Sequence, residues 1–122
     1  MNTKDADIEN WPQTWQGVEE DVPYGEGIVK NVIPFIEEMK SRNMSVKTIN
    51  EHIDNLWMLG GYLIHQLHYY EEKRKSPPLD LIRESIGSDG GPLISDFTEY
   101  QQDRFDATCR KLHKYLNSAE KR

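Results

Sequence analysis

The sequence predicts an all-α fold, a compact four-helix bundle behind an acidic N-terminal arm. Three observations carry that expectation. Apolar residues recur at steps of three and four along several stretches, which is the period of one helix face. Helix-stopping and helix-capping residues fall between those stretches, and no run alternates apolar with polar residues for long enough to make a strand. A chain of 122 residues suits one domain, and a domain of that size buries enough apolar surface to fold without covalent staples. Hydrophobic content of 36% is low, but 10% aromatic residues, among them three tryptophans, supply large side chains for a core.

Residues 1–27 are the predicted arm. They are acidic, are interrupted by Pro12, Pro23, Gly17, Gly25 and Gly27, and show no sustained period. Trp11 and Trp15, four apart, share a face of one helical turn, either to dock on the core or to anchor a partner. The folded domain is expected over residues 28–122. Its first helix runs from Ile28 to Arg42 with Val29, Val32, Ile33, Ile36 and Met39 inward; Pro34 implies a kink, or a true start near Ile33. Asn43 fits a left-handed stop, and Ser45 an N-cap for the next helix. That second helix, Ser45 to Tyr70, sets Ile49, Ile53, Leu56, Gly60, Leu63 and Leu67 on one stripe, broadened by Trp57 and Ile64. It would span roughly 39 Å at about 1.5 Å per residue, so a kink, an early end or a close crossing is expected at Gly60-Gly61. Ser76 with Pro77 opens a third helix that carries Leu79, Ile82 and Ile86 inward and stops at Gly87. Asp89-Gly90-Gly91-Pro92 is a loop. Asp96 with Glu99 forms a capping box for a fourth helix, with Phe105, Cys109, Leu112 and Leu116 on its buried stripe.

The net charge of −6 is unevenly spread. Residues 1–28 hold seven acids against Lys4 alone, and the rest of the chain is balanced. A neutral body leaves room for a basic face. Basic residues gather at three places: Lys40, Arg42 and Lys47 around the first helix junction; Lys73, Arg74 and Lys75 after the second helix; Arg110, Lys111 and Lys114 on the fourth. Phosphates need cations and little other geometry, so a phosphate-contacting face requires that these clusters converge in space.

No catalytic signature stands out, and no cofactor is implied. His65, His68 and Glu72 have a spacing that metal ligands use, but no fourth ligand suggests itself, and half-buried or solvated histidines are the plainer reading. His52 and His113 are isolated. Cys109 falls on an apolar stripe and reads as a core residue. The Gly90-Gly91 pair lacks the strand and the Gly-Lys-Ser/Thr of a phosphate loop. Tyr69, Tyr70, Tyr100 and Tyr115 read as packing at helix ends rather than as stacking platforms. No apolar run is long enough for a membrane span, no leader pattern opens the chain, and one cysteine makes no internal disulfide, so a cytoplasmic protein with no membrane partner is expected.

The stretch "SRNMSVKTINEHIDNLWMLGGYLI" resembles the second helix of the SAM-like core-binding domain of tyrosine recombinases and phage integrases. In that family a first helix ends in a polar turn, a Ser or Thr caps the next, a Thr follows three residues later, and apolar residues run toward an aromatic. Ser45, Thr48, Ile49, Ile53, Leu56 and Trp57 match. The resemblance implies a SAM-like bundle that clamps duplex DNA, without the separate domain that cuts and rejoins it: a stand-alone relative without recombinase chemistry. It places Lys47, Thr48 and Arg42 near the DNA backbone. The chain is also similar to small bacterial proteins of this domain pattern, for which the resemblance implies no activity. Two functions are therefore expected to compete. One is a non-enzymatic DNA-binding accessory module using Lys40, Arg42, Lys47, Thr48, Arg110, Lys111 and Lys114, with the acidic arm folding over the basic face, so that deleting residues 1–27 would tighten binding. The other is a protein-interaction module with an apolar groove, in which Trp11 and Trp15 anchor a partner.

Overall fold

A computed structural model describes residues 3–120, and side chains as far as Ser118. Met1, Asn2, Lys121 and Arg122, the outer ends of the two expected segments, lie outside the described residues. The fold is an all-α bundle. A 3-10 turn over Lys4–Asn10 leads into α1 (Trp11–Trp15), followed by α2 (Asp21–Ser41) and α3 (Val46–Tyr69). A second 3-10 turn, Glu71–Lys75, leads to α4 (Pro78–Ser85), and α5 (Glu99–Glu120) closes the bundle. Among the described residues no strand forms; the only ladder-like contact is a tight turn in which Gly87 and Gly90 exchange both backbone hydrogen bonds, at 2.8 and 3.2 Å.

The first helix starts seven residues earlier than the period suggests. Pro23 reads as a break, yet it lies in the first turn of α2, where a missing N–H is no loss. α2 then passes Pro34 without interruption. Its inward face is Ile28, Val29, Val32, Phe35, Ile36 and Met39; Ile33, expected inside, is 36% exposed. The α2–α3 turn follows the sequence reading closely. Asn43 takes a left-handed φ of 58°, and the Ser45 hydroxyl accepts from the Thr48 N–H at 3.1 Å.

α3 is the central element, with Ile49, Ile53, Leu56, Leu59, Leu63, Ile64 and Leu67 all buried. It neither breaks nor ends at the double glycine. The close contact made there is with a side chain rather than a helix: the Trp15 indole lies on Gly60, so near that a Cβ would stand 2.2 Å from Cζ2. Trp15 Nε1 donates to the Trp57 carbonyl at 3.1 Å, and Trp57 Nε1 donates to Thr14 Oγ1 at 2.9 Å. Ile8, Trp11 and Trp15 are buried members of the core. Residues 3–15 are therefore packed onto the bundle, with Lys4 on Asp54 at 3.0 Å and Asp5 on Lys40 at 2.6 Å holding the outer edge.

The third and fourth helices need two corrections at their starts. Ser76 is no cap: its carbonyl accepts from the Tyr24 hydroxyl at 3.0 Å, and α4 begins two residues later. The capping box of α5 is Thr98 with Gln101, not Asp96 with Glu99. The Thr98 N–H donates to Gln101 Oε1 at 2.9 Å, and the Gln101 N–H to Thr98 Oγ1 at 3.1 Å. Phe105, Cys109, Leu112 and Leu116 are buried on α5 as the stripe predicts.

Candidate functional site

α3 and α5 run antiparallel, and that pairing decides which cations meet. Glu51 pairs with Arg104, His52 Nδ1 sits 2.7 Å from Thr108 Oγ1, and Asn55 Nδ2 donates to Thr108 Oγ1 at 2.9 Å. Met58 lies beside Phe97 and Tyr100 at one end, and Met44 beside Lys111, Lys114 and Tyr115 at the other. The C-terminal half of α5 is thus carried to the α2–α3 turn. Burial, aided by the Lys111 charge, pushes His52 below its usual value, so this histidine is a neutral bridge inside the α3–α5 seam.

Where α2 ends against α5, a pocket of about 220 Å³ opens. Arg42, Lys111 and Lys114 stand at it with Glu38, over a lining of Phe35, Met39, Met44 and Tyr115. Three of the seven cationic or polar residues expected to contact DNA are brought together here. Arg42 is 71% exposed and bonded to Glu38 at 2.7 Å. Lys111 and Lys114 are exposed and make no ion pair among the described residues. Met44 directly precedes the α3 N-cap, so the positive end of the longest helix in the bundle lies beside the pocket. The aromatic part of the lining is held from behind, Tyr115 against Phe35 at 5.6 Å between ring centroids and a 51° tilt.

The other candidates fall elsewhere. Lys40 does not line this pocket; it is engaged by Asp5 at 2.6 Å and Glu37 at 3.7 Å, and the Asp5 hydrogen bond raises its ammonium above the usual lysine range. Lys47 and Arg110 are exposed outside the lining. Thr48 is occupied in the α3 cap, its hydroxyl 2.8 Å from that of Ser45. Among the described residues, Lys40 is the one expected DNA-contacting cation that the arm pairs with. Trp11 and Trp15, expected as candidate partner anchors, are 6% and 9% exposed and belong to the core, so only an edge of each reaches a surface pocket. A groove of about 550 Å³ between α3 and the loop before α5 is lined by Trp15 itself together with Trp57, Met58, Tyr62, Leu93 and Ile94.

One constellation escaped the sequence reading. Asp21, in the first turn of α2, has no solvent exposure. Its Oδ2 accepts from the Gly17 N–H at 2.7 Å, from the Val18 N–H at 3.0 Å and from His68 Nε2 at 2.8 Å, and Arg74 donates to Oδ1 at 2.8 Å. Burial by itself raises this carboxyl; the Val18 and Gly17 N–H groups, then His68 and Arg74, more than offset it and hold it at about 2. The cluster clasps the end of the arm to the end of α3. It also removes Arg74 from the basic stretch after α3, where Lys73 is likewise paired, with Glu84. His68 is Asp21's partner, and His65 stacks on it at 6.5 Å. Among the described residues no group of three or more His, Cys, Asp or Glu is placed to hold a metal ion.

Cys109 is 1% exposed, and burial, then the Asp106 charge, pushes its thiol up to about 12, an unreactive core position. Gly90, at φ +138°, and Gly91 let the loop lie flat on α5, where the Gly91 N–H donates to Asp106 Oδ1 at 3.1 Å. Among the described residues no helix is long and apolar enough to cross a membrane. No protein-family model, curated protein or solved structure matches the chain.

Proposed function

We propose that this chain is a non-enzymatic helical module that binds DNA through its phosphates at the pocket between α2 and α5. The observation that carries the reading is the convergence of Arg42, Lys111 and Lys114 on one concavity. Lys111 and Lys114 make no ion pair among the described residues, so their charge stays open to a ligand. A carboxylate-poor spot on an acidic protein concentrates attraction for a polyanion at that spot. Glu38 is the one acid in the lining, so the site keeps a surplus of positive charge. The neighbouring α3 N-terminus adds its partial positive charge in the same direction.

The arm's role changes with its packing. Asp5 on Lys40 withdraws one cation from the face, but residues 3–15 do not line the pocket. Removing residues 1–27 would take Ile8, Trp11, Trp15 and the whole Asp21 clasp out of the fold, so the interface is better tested by surface substitutions in the full chain. The alternative, a protein-interaction module using an apolar groove and the Trp11–Trp15 pair, keeps the groove that Trp15 and Trp57 line, but the burial of both tryptophans leaves little of either to anchor a partner, and the basic pocket is the reading preferred. The test is fluorescence anisotropy of a labelled DNA fragment at about 50 mM salt, comparing the full chain with Lys111→Ala/Lys114→Ala. The double variant is expected to lose most of the binding, whereas equal binding would reject the pocket as the DNA site.

A further inference from the structure

We infer that the pocket between α2 and α5 receives an unpaired nucleotide, base inward and phosphate at the rim, so that the nucleic acid held there is single-stranded or locally opened. This rests on the DNA-binding reading above and narrows its ligand. Contacts to a duplex backbone are made by cations on an open face, because the bases are stacked out of reach and only phosphate and sugar are presented. Cations alone would serve that purpose. Here they stand around a concavity whose lining also carries apolar and aromatic side chains, Phe35, Met39, Met44 and Tyr115, beside Glu38 and Ser118. Beside a phosphate, the chemical group that gains from such a lining is the exposed face of a base, which stacks on aromatic side chains in single-strand recognition.

Size and rigidity agree with one nucleotide. The volume of about 220 Å³ lies below the roughly 300–1,000 Å³ of sites that enclose drug-sized ligands. Tyr115 is braced by Phe35, itself 4% exposed, so its ring is positioned before any ligand arrives. Met44, half-buried in the turn, supplies a flexible, polarisable wall that fits any of the bases. Glu38 contributes an acceptor of the kind that reads an exocyclic amino group.

The test measures anisotropy with the full chain and a labelled mixed-sequence oligonucleotide of about 12 nucleotides, offered single-stranded and as its duplex at about 50 mM salt. Tyr115→Leu keeps an apolar side chain against Phe35 and removes the ring; Met44→Gln, at a half-buried position in the turn on the edge of the core, alters the wall while keeping the side chain's length, and far-UV circular dichroism confirms that each variant folds. The single strand should bind about tenfold or more tighter than the duplex, and Tyr115→Leu should cut single-strand affinity by about five- to tenfold, the lower part of what one stacked base contributes, without changing duplex binding. Should Tyr115→Leu lose its helicity, a selective fall in single-strand binding by Met44→Gln carries the same support. Equal binding of both forms, or equal weakening of both by the folded variants, would overturn the unpaired-nucleotide inference and leave the DNA reading standing. Failure of the wild-type chain to bind either form would overturn both.

Discussion

Replacing Gly60 with alanine should destabilise the protein, although the usual expectation has the opposite sign. In a helix interior alanine is favoured over glycine by about 1 kcal/mol. At Gly60 the added methyl carbon would stand 2.2 Å from Trp15 Cζ2 and 2.3 Å from Cη2, distances at which the indole or α3 must move. The indole is rigid, 9% exposed and fixed by its bond to the Trp57 carbonyl at 3.1 Å, so it has no free direction in which to yield. Overpacking of this kind costs typically about 1–3 kcal/mol, and displacement of part of the buried Trp15 surface adds to it. The net expectation is a loss of about 1 kcal/mol. Gly61 is the internal control, because a Cβ there would meet Trp15 Cδ1 at 3.4 Å, an ordinary contact, and the helix preference should act alone. Gly61→Ala should therefore be stabilising by up to about 1 kcal/mol, leaving the two variants about 2 kcal/mol apart. Urea unfolding followed by circular dichroism, with midpoints compared at constant slope, reads the difference. If Gly60→Ala is as stable as Gly61→Ala, Trp15 does not sit on α3, and the docking of the N-terminal segment is wrong.

Two further outcomes follow from the polar contacts. The Asp21 carboxyl is lowered from 3.8 to about 2, so its stabilising effect is complete above the unfolded value and is lost as pH falls through about 2. The shift corresponds to about 2 kcal/mol, which the wild-type chain should lose on acidification and Asp21→Asn should not, since Asn carries no titrating group; parallel pH profiles from unfolding at pH 2 to 6 would refute the clasp. Thr98→Ala removes the hydroxyl that accepts from the Gln101 N–H and should cost about 1 kcal/mol in the same urea assay, whereas Asp96→Ala should cost little; the reverse ranking would restore the box at Asp96.

How far the fold could be read in advance depended on the range of the interactions. The stripes of α3 and α5 and the Asn43–Ser45 junction were legible because their signals lie within a few residues, and period and cap then agree. The start of α2 was not, since proline and glycine in an acidic segment look like punctuation unless a packing partner is known. That partner is remote: Gly25 lies against Pro12 and Trp15, and Trp15 lies on Gly60. The α5 cap was ambiguous for a local reason. Asp96 and Thr98 both have a glutamate or glutamine three residues on, and packing of Phe97 on Phe105, at 5.7 Å, accompanies the choice of Thr98.

The candidate site divides the same way. The sequence pointed to Arg42, Lys111 and Lys114 as cations, and only the antiparallel run of α3 and α5 brings residues so far apart in the chain to one pocket. Lys40 and Arg74 carried the same local signal but are drawn into pairs with Asp5 and Asp21, acids 35 and 53 residues away. Tyr115, which turns a basic patch into a lined pocket, has no distinctive sequence context at all. The Asp21 cluster was hidden because its histidine and arginine come from two elements and its two N–H donors from a loop.

The salt dependence of DNA binding tests the central claim most directly. If Arg42, Lys111 and Lys114 each neutralise a phosphate of an unpaired strand, the logarithm of the affinity should fall against the logarithm of salt concentration with a slope of roughly −2. In Lys111→Ala/Lys114→Ala the slope should shrink to roughly −0.7, the share of one remaining cation. A wild-type slope near zero, or one that the double variant leaves unchanged, would mean that nucleic acid is not held by this pocket.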